Sequence, residues 1–212
     1  MANKKKLTDS DVLLVVDIQN DFCPGGALAV PLGNEIIPAV NRISRLFKNV
    51  ICTQDWHPKD HSSFASMHPG KSEHDIVQFS YGNQVLWPDH CVQGTWGAEL
   101  RGDLDMFNCQ LIIRKGFNRD IDSYSAFLEN DHMTHTGLKG YLHERGLKRI
   151  FILGLAYDYC VLYTFLDAVK LGFEAYVIED GCRSIGVKGS VEEGLMRENL
   201  GMVKLCEADL VK

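Results

Sequence analysis

Four residues able to do chemistry each stand at or just beyond the end of an apolar run. Asp17 follows Val12-Leu13-Leu14-Val15-Val16, Asp55 follows Val50-Ile51-Cys52-Thr53-Gln54, Lys115 closes Leu111-Ile112-Ile113-Arg114, and Cys160 comes shortly after Ile150-Phe151-Ile152-Leu153-Gly154. These short apolar runs read as strands, the first of them suited to burial on both faces of a parallel sheet. If the strands share one sheet, an acid, an amine and a thiol meet at its carboxyl edge. That is a nucleophile with a base and a cation. Cys160 opens a predicted helix whose Val161, Leu162, Phe165, Leu166 and Val169 recur at helical spacing, and a helix N-terminus favours thiolate over thiol. Taken singly, Cys160 reads as a small buried hydrophobe, Asp17 as a turn cap and Lys115 as a solvated strand end. Their joint placement points to cysteine-centred catalysis.

A second constellation lies in Asp55-Trp56-His57 and Trp87-Pro88-Asp89-His90-Cys91. A strand-end carboxylate and two imidazoles suit zinc, iron or manganese with positions left open for water or substrate. His61 is a possible fourth ligand, and Cys91 is an alternative to His90. His68 and His74, in a polar stretch, are expected to face solvent. No GxGxxG or Walker-type loop follows the first strand, so a nucleotide site has no support.

The elements that must position these groups alternate between strand and helix. After the 12–16 strand and the turn at Pro24-Gly25-Gly26, a helix is predicted over about 34–47, with Pro38 in its early turns. Strands follow at 50–54, 111–115, 150–153 and 175–178, with a helix near 136–145 and another from 158. A last helix opens at Ser190-Val191-Glu192-Glu193, a capping-box pattern, and Val203-Lys204-Leu205-Cys206 closes the sheet. The pattern predicts a three-layer α/β/α domain around a mainly parallel sheet of six strands. Residues 56–108 show little periodicity yet hold all three tryptophans and five of the eight histidines. A stretch this long is expected to carry function.

The chain has 212 residues, a net charge of −6 and 45% hydrophobic residues, which fits one domain, 1–212, with 1–10 as a mobile tail. The acidic balance, with Lys4-Lys5-Lys6 the only basic run, argues against nucleic acid or membrane surfaces as partners. The first apolar run is too short to span a bilayer and lacks a cleavage site. The seven cysteines are scattered, with no CxxC pair, which suits a reducing, cytoplasmic setting. A homo-oligomer stays open.

Five stretches together resemble the nicotinamidase (pyrazinamidase) group of the isochorismatase-like cysteine hydrolases: Val16-Asp17-Ile18-Gln19-Asn20-Asp21-Phe22, Gln54-Asp55-Trp56-His57, Trp87-Pro88-Asp89-His90-Cys91-Val92, Lys115-Gly116-Phe117, and Gly154 through Val161. Asp122-Ser123-Tyr124-Ser125-Ala126-Phe127 is also typical of that group. The resemblance implies deamidation of nicotinamide to nicotinate and ammonia in NAD salvage, with pyrazinamide also accepted. It implies a triad of Asp17, Lys115 and Cys160, and an oxyanion hole from the N–H groups of Ala156 and Cys160 beside a cis Leu155–Ala156 peptide. It implies one divalent metal, zinc foremost, on Asp55, His57 and His90, with His61 in question, bound to the pyridine nitrogen. Phe22, Trp87, Leu155 and Ala156 would touch the substrate. Two other readings are a hydrolase of another small amide, and a non-enzymatic metal-binding module in which Cys160 is structural.

Overall fold

The computed structural model describes residues 4–187 and 204–211. In chain order the elements are β1 (Lys5–Lys6), β2 (Asp11–Val16), α1 (Ile37–Ser44), β3 (Asn49–Asp55), β4 (Ile76–Phe79), β5 (Gly82–Val85), β6 (Cys109–Lys115), α2 (Leu138–Glu144), β7 (Arg149–Leu155), α3 (Leu162–Lys170), β8 (Glu174–Arg183), β9 (Lys204–Leu205) and β10 (Leu210–Val211). Six strands form the central sheet in the order β6-β3-β2-β7-β8-β9, and every neighbouring pair is parallel. The expected α/β class and six-stranded parallel sheet are both present. The helix expected to open at Ser190 lies outside the described residues.

The chain builds the sheet outward from β2, first through β3 to β6, then from β7 through β8 to β9. The order reverses between β2 and β7, and a crevice opens beyond the carboxyl ends of strands at such a point. Asp17 leaves β2 and Cys160 follows β7, so the topology sets the two on either side of the crevice. The crossovers through α1 and α3 leave the centre in opposite directions, so right-handed connections put these helices on opposite faces. Burial on both faces explains the unbroken apolar runs: all six residues of β2 are buried, as are all seven of β3.

The predicted helix over 34–47 is shorter than its pattern. A 3-10 turn covers Gly33–Ile36 and the α-helix ends at Ser44, with Pro38 in its first turn, where no N–H is needed. The unpatterned stretch 56–108 contains the β4–β5 hairpin and is braced internally by isolated bridges at His57–Val92 and Phe64–Trp87. The expectation of a mobile tail over 1–10 needs correction from Lys5 onward. Lys5–Lys6 pair with Leu210–Val211, and Lys5 lies over the Tyr176 ring at 4.4 Å. Asp11 forms an ion pair with Arg149. Among the described residues, no helix is long and apolar enough to cross a membrane.

Gly154 decides how closely β7 approaches β2. Its φ is +128°, and a Cβ built there would lie 2.1 Å from the Val16 carbonyl oxygen. Any side chain would push apart the two strands that carry the site. Gly154→Ala is therefore expected to destabilise the fold by more than about 4 kcal/mol, read as a collapse of the urea midpoint; a shift smaller than about 1 kcal/mol would show that the strands can separate freely.

Candidate active site

Asp17, Asp55, Lys115 and Cys160 converge as the strand ends require. Lys115 is fully buried, and its Nζ lies 2.5 Å from Asp55 Oδ1 and 2.8 Å from Asp17 Oδ2. It also donates to the Ser123 carbonyl at 2.9 Å and approaches Cys160 Sγ at 3.5 Å. One ammonium thus joins both carboxylates to the sulfur. Asp17 is held from its other side by Thr53, whose hydroxyl donates to Oδ1 at 2.5 Å and accepts the Asp17 N–H at 3.0 Å. Among the described residues Oδ2 receives no aligned hydrogen bond, and ligand atoms of Asp17 and Cys160 lie within 4.8 Å of each other. The backbone of Asp55 is fixed by Gln19, whose amide donates to the Asp55 carbonyl and accepts the Asp55 N–H, each at 2.8 Å.

Burial sets the protonation of this cluster. It raises the pKa of Asp17, and Lys115 only partly offsets the rise. Burial would raise Asp55 too, but Lys115 and His57 hold it well below the usual carboxylate range. Burial would lower Lys115, yet Asp17, Asp55 and Cys160 keep its ammonium well above the ordinary lysine value. Cys160 departs from the sequence expectation of a thiolate. Burial, joined by Asp17 and Asp55, pushes its thiol well up against the pull of Lys115. Two nearby carboxylates and the loss of water outweigh the helix terminus. These influences favour the protonated thiol at Cys160.

The turn bearing Cys160 is a single π-helical turn, Tyr157–Val161, running into α3. Its backbone wraps on the Ala156 carbonyl, which accepts N–H bonds from Tyr159 and Val161 at 3.1 Å. The Leu155–Ala156 peptide is cis, as the resemblance implied. Among the described residues, no carbonyl outside the helices and strands accepts from the N–H of Ala156 or Cys160.

Asp55, His57 and His90 form a possible metal-holding group. His57 Nδ1 donates to the Gly116 carbonyl at 2.7 Å, and His90 Nδ1 donates to the Pro88 carbonyl at 2.8 Å. Both rings therefore present Nε2 toward Asp55 Oδ2, at 3.5 and 3.8 Å. His57 Nε2 is buried and has no hydrogen-bond partner. An orphaned imidazole nitrogen facing a carboxylate is the signature of a ligand set with its outer shell in place. Ligands about 2.0–2.1 Å from a tetrahedral zinc lie about 3.3 Å apart, so the donors fit with little movement. Gly116 makes this possible: a Cβ there would lie 2.5 Å from His57 Cε1.

The His61 ring lies tilted against His57 with centroids 4.3 Å apart, but its nitrogens face Ser63 Oγ and the Ile121 carbonyl. It groups with His57 and Asp122, not with Asp55 and His90. The Cys91 sulfur turns toward the Gly97 carbonyl at 4.0 Å, which leaves His90 as the ligand candidate.

A small cavity, about 30 Å³ in volume, connects the two constellations, with Asp55, His90, Cys160 and Ala156 in its lining beside Phe22 and Trp87. Leu155 is not in that lining; its side chain points toward Gly33. Sequence reasoning missed Leu28, Asp122, Tyr124, Tyr159 and Ile185, which complete the wall. Tyr124 accepts the Trp87 indole N–H at 3.1 Å, and Tyr159 meets the Trp87 ring edge-on at 4.9 Å. Tyr124 lies in the Asp122–Phe127 stretch already singled out and Tyr159 beside Cys160, but nothing in the sequence marks Leu28 or Ile185.

The isochorismatase domain family matches residues 11–208. The chain belongs to the isochorismatase family. Over 189 residues it is 53% identical to a nicotinamidase of Acinetobacter baylyi, covering 89% of this chain and 88% of that one. PnC1 from L. infantum in complex with nicotinate superposes with a TM-score of 0.85 at 36% identity, covering 98% of each chain. The pyrazinamidase of Pyrococcus horikoshii in complex with zinc superposes with a TM-score of 0.74 at 36% identity, covering 93% of this chain and 99% of that one.

The thiols of this family member should titrate in an unusual order. Cys109 is half-buried, and its pKa falls to about 6, chiefly through a hydrogen bond with Cys52. In metal-free protein Cys109 is expected to react with iodoacetamide at pH 7, while Cys160 labelling rises only above the ordinary thiol value of 9.0. Peptide mass spectrometry across pH reads both sites. Faster labelling of Cys160 than of Cys109 at pH 7 would contradict this protonation assignment.

Proposed function

We propose that this protein hydrolyses nicotinamide to nicotinate and ammonia, with Asp17, Lys115 and Cys160 as its catalytic residues. The observation that carries the reading is one aromatic-walled cavity bordered by a buried thiol and by a carboxylate–imidazole ligand set. Phe22, Trp87, Tyr124 and Tyr159 offer flat apolar surfaces to a ring, and the few polar groups suit a carboxamide and one ring nitrogen. The likeness to the nicotinamidase and to the nicotinate complex supports this choice of substrate, and the named pyrazinamidase supports pyrazinamide as a second.

Asp17 accepts the Cys160 proton through Oδ2 as the sulfur attacks the carboxamide carbon. Lys115, 2.8 Å away, favours the ionised carboxylate on which this step depends. Charge developing on the amide oxygen meets the N–H groups of Ala156 and Cys160 at the start of the π turn. The C–N bond then breaks, Asp17 returns its proton to the leaving nitrogen, and ammonia departs from a thioester. Asp17 next takes a proton from water, whose oxygen attacks the thioester carbon. The C–S bond breaks, the thiol regains its proton, and nicotinate is released.

Asp55, His57 and His90 would hold a divalent cation, for which zinc is the leading candidate given the likeness to the zinc-bound pyrazinamidase. When bound, such a cation supplies a Lewis-acidic position for the ring nitrogen and fixes the ring's orientation. The seven cysteines of the sequence are free thiols in the fold, which supports a reducing cytoplasm as the working compartment and NAD salvage as the setting.

Ammonia release from nicotinamide tests the reading. Cys160→Ala and Asp17→Asn are each expected to lose at least about a thousandfold in kcat/KM. Zinc is expected to raise the melting temperature of the wild type but not of Asp55→Asn, and chelation to lower the rate. Undiminished turnover in Cys160→Ala would remove the nucleophile assignment.

A further inference from the structure

A second, more open depression on the surface adjoins the reaction cavity, and the two share only Leu28 and Ile185 among their lining residues. These two side chains therefore stand between solvent and the thiol. They are held differently. Leu28 is buried, and its N–H donates to the Asp21 carbonyl at 3.0 Å, while the Asp21 carboxylate takes the N–H of Ala27 at 3.0 Å. Ile185 is half-buried on the loop after β8. The N–H groups of Ile185 and Gly186 both donate to the Asp158 carboxylate, at 2.9 and 3.0 Å. Asp158 is itself buried in the π turn that carries Cys160.

We infer that Leu28 and Ile185 form the mouth of the reaction cavity, that Asp158 sets its width by holding the Ile185–Gly186 loop, and that the mouth selects against substituents on the far edge of the ring. The last part rests on the nicotinamide reading above. With the ring nitrogen toward Asp55 and His90 and the C3 carboxamide toward Cys160, both occupied ring positions face the sheet. The carbon between them, C2, faces the same way. The atom across the ring from C2 is C5, which points outward to Leu28 and Ile185. A group on C5 must share space with these side chains, whereas the unsubstituted ring does not. Asp158 is on this account a positioning residue, because it acts through the loop and touches neither ring nor sulfur.

The test compares kcat/KM for nicotinamide with that for 5-methyl- and 5-propylnicotinamide in the metal-loaded wild type, Ile185→Ala, Leu28→Ala and Asp158→Asn. The ratio of 5-propylnicotinamide to nicotinamide should rise at least about tenfold in Ile185→Ala. It should rise in the same direction in Asp158→Asn, where an amide N–H₂ replaces one of the two acceptor oxygens. A merely structural role for Asp158 would lower both substrates together and leave the ratio unmoved. Ratios unchanged in both Ile185→Ala and Leu28→Ala would overturn the mouth. A second arm does not depend on the substrate: labelling of Cys160 by iodoacetamide and by the bulkier N-benzyliodoacetamide, read by peptide mass. Selective acceleration of the bulky reagent in Ile185→Ala supports the mouth even if nicotinamide is not turned over, and its absence opposes it.

Discussion

The site depends on one ammonium. Lys115 is fully buried between the carboxylates of Asp17 and Asp55, with the Cys160 sulfur as a further neighbour. Buried charges of this kind are costly unless each is met by an opposite charge and by hydrogen bonds. Here the formal sum over Lys115, Asp17 and Asp55 is −1 when the thiol is neutral. That deficit explains why burial keeps a proton near Asp17 and Cys160, and why the cluster has an electrostatic use for a cation beside Asp55. With a dication counted, the sum becomes +1, which an ionised sulfur or a developing oxyanion would cancel. The ligand set and the nucleophile thus share one charge balance through Lys115 and Asp55.

Precision comes from neighbours that touch no reacting atom. Gln19 fixes the backbone of Asp55 through two hydrogen bonds, and Thr53 fixes the carboxylate of Asp17. The carbonyls of Gly116 and Pro88 choose the tautomers of His57 and His90. Such outer contacts hold a constellation within the small tolerances that catalysis and metal binding need. They come from β3 and from the loops that follow β2, β5 and β6, so the strand ends place these supports as they place the site.

Much of this was legible in the residues. Unbroken apolar runs ending in Asp17 and Asp55 report burial on both sheet faces and the edge where the chain emerges, whereas β6, which ends in Lys115, is an edge strand that alternates half-buried and exposed residues. Strand order was not legible, because it depends on crossovers whose direction no single strand encodes. The protonation of Cys160 was misjudged for a related reason. Position in a helix is a local signal, whereas the carboxylates that push the thiol up arrive from distant β2 and β3. Leu28 and Ile185 were invisible because each is an ordinary aliphatic residue in a loop, and only the fold brings them face to face. His61 lies beside His57 with its ring tilted and its nitrogens turned to Ser63 and Ile121.

The three tryptophans sit in three different settings. Trp96 is exposed, Trp56 lies 3.8 Å beneath the Arg114 guanidinium, and Trp87 is buried in the cavity wall with its indole N–H on Tyr124. The cavity therefore contains its own fluorophore, separated by environment from the other two. A ring stacked beside Trp87 would enter the immediate surroundings of that indole alone, so occupancy of the cavity is coupled to an optical signal native to the protein, without any label.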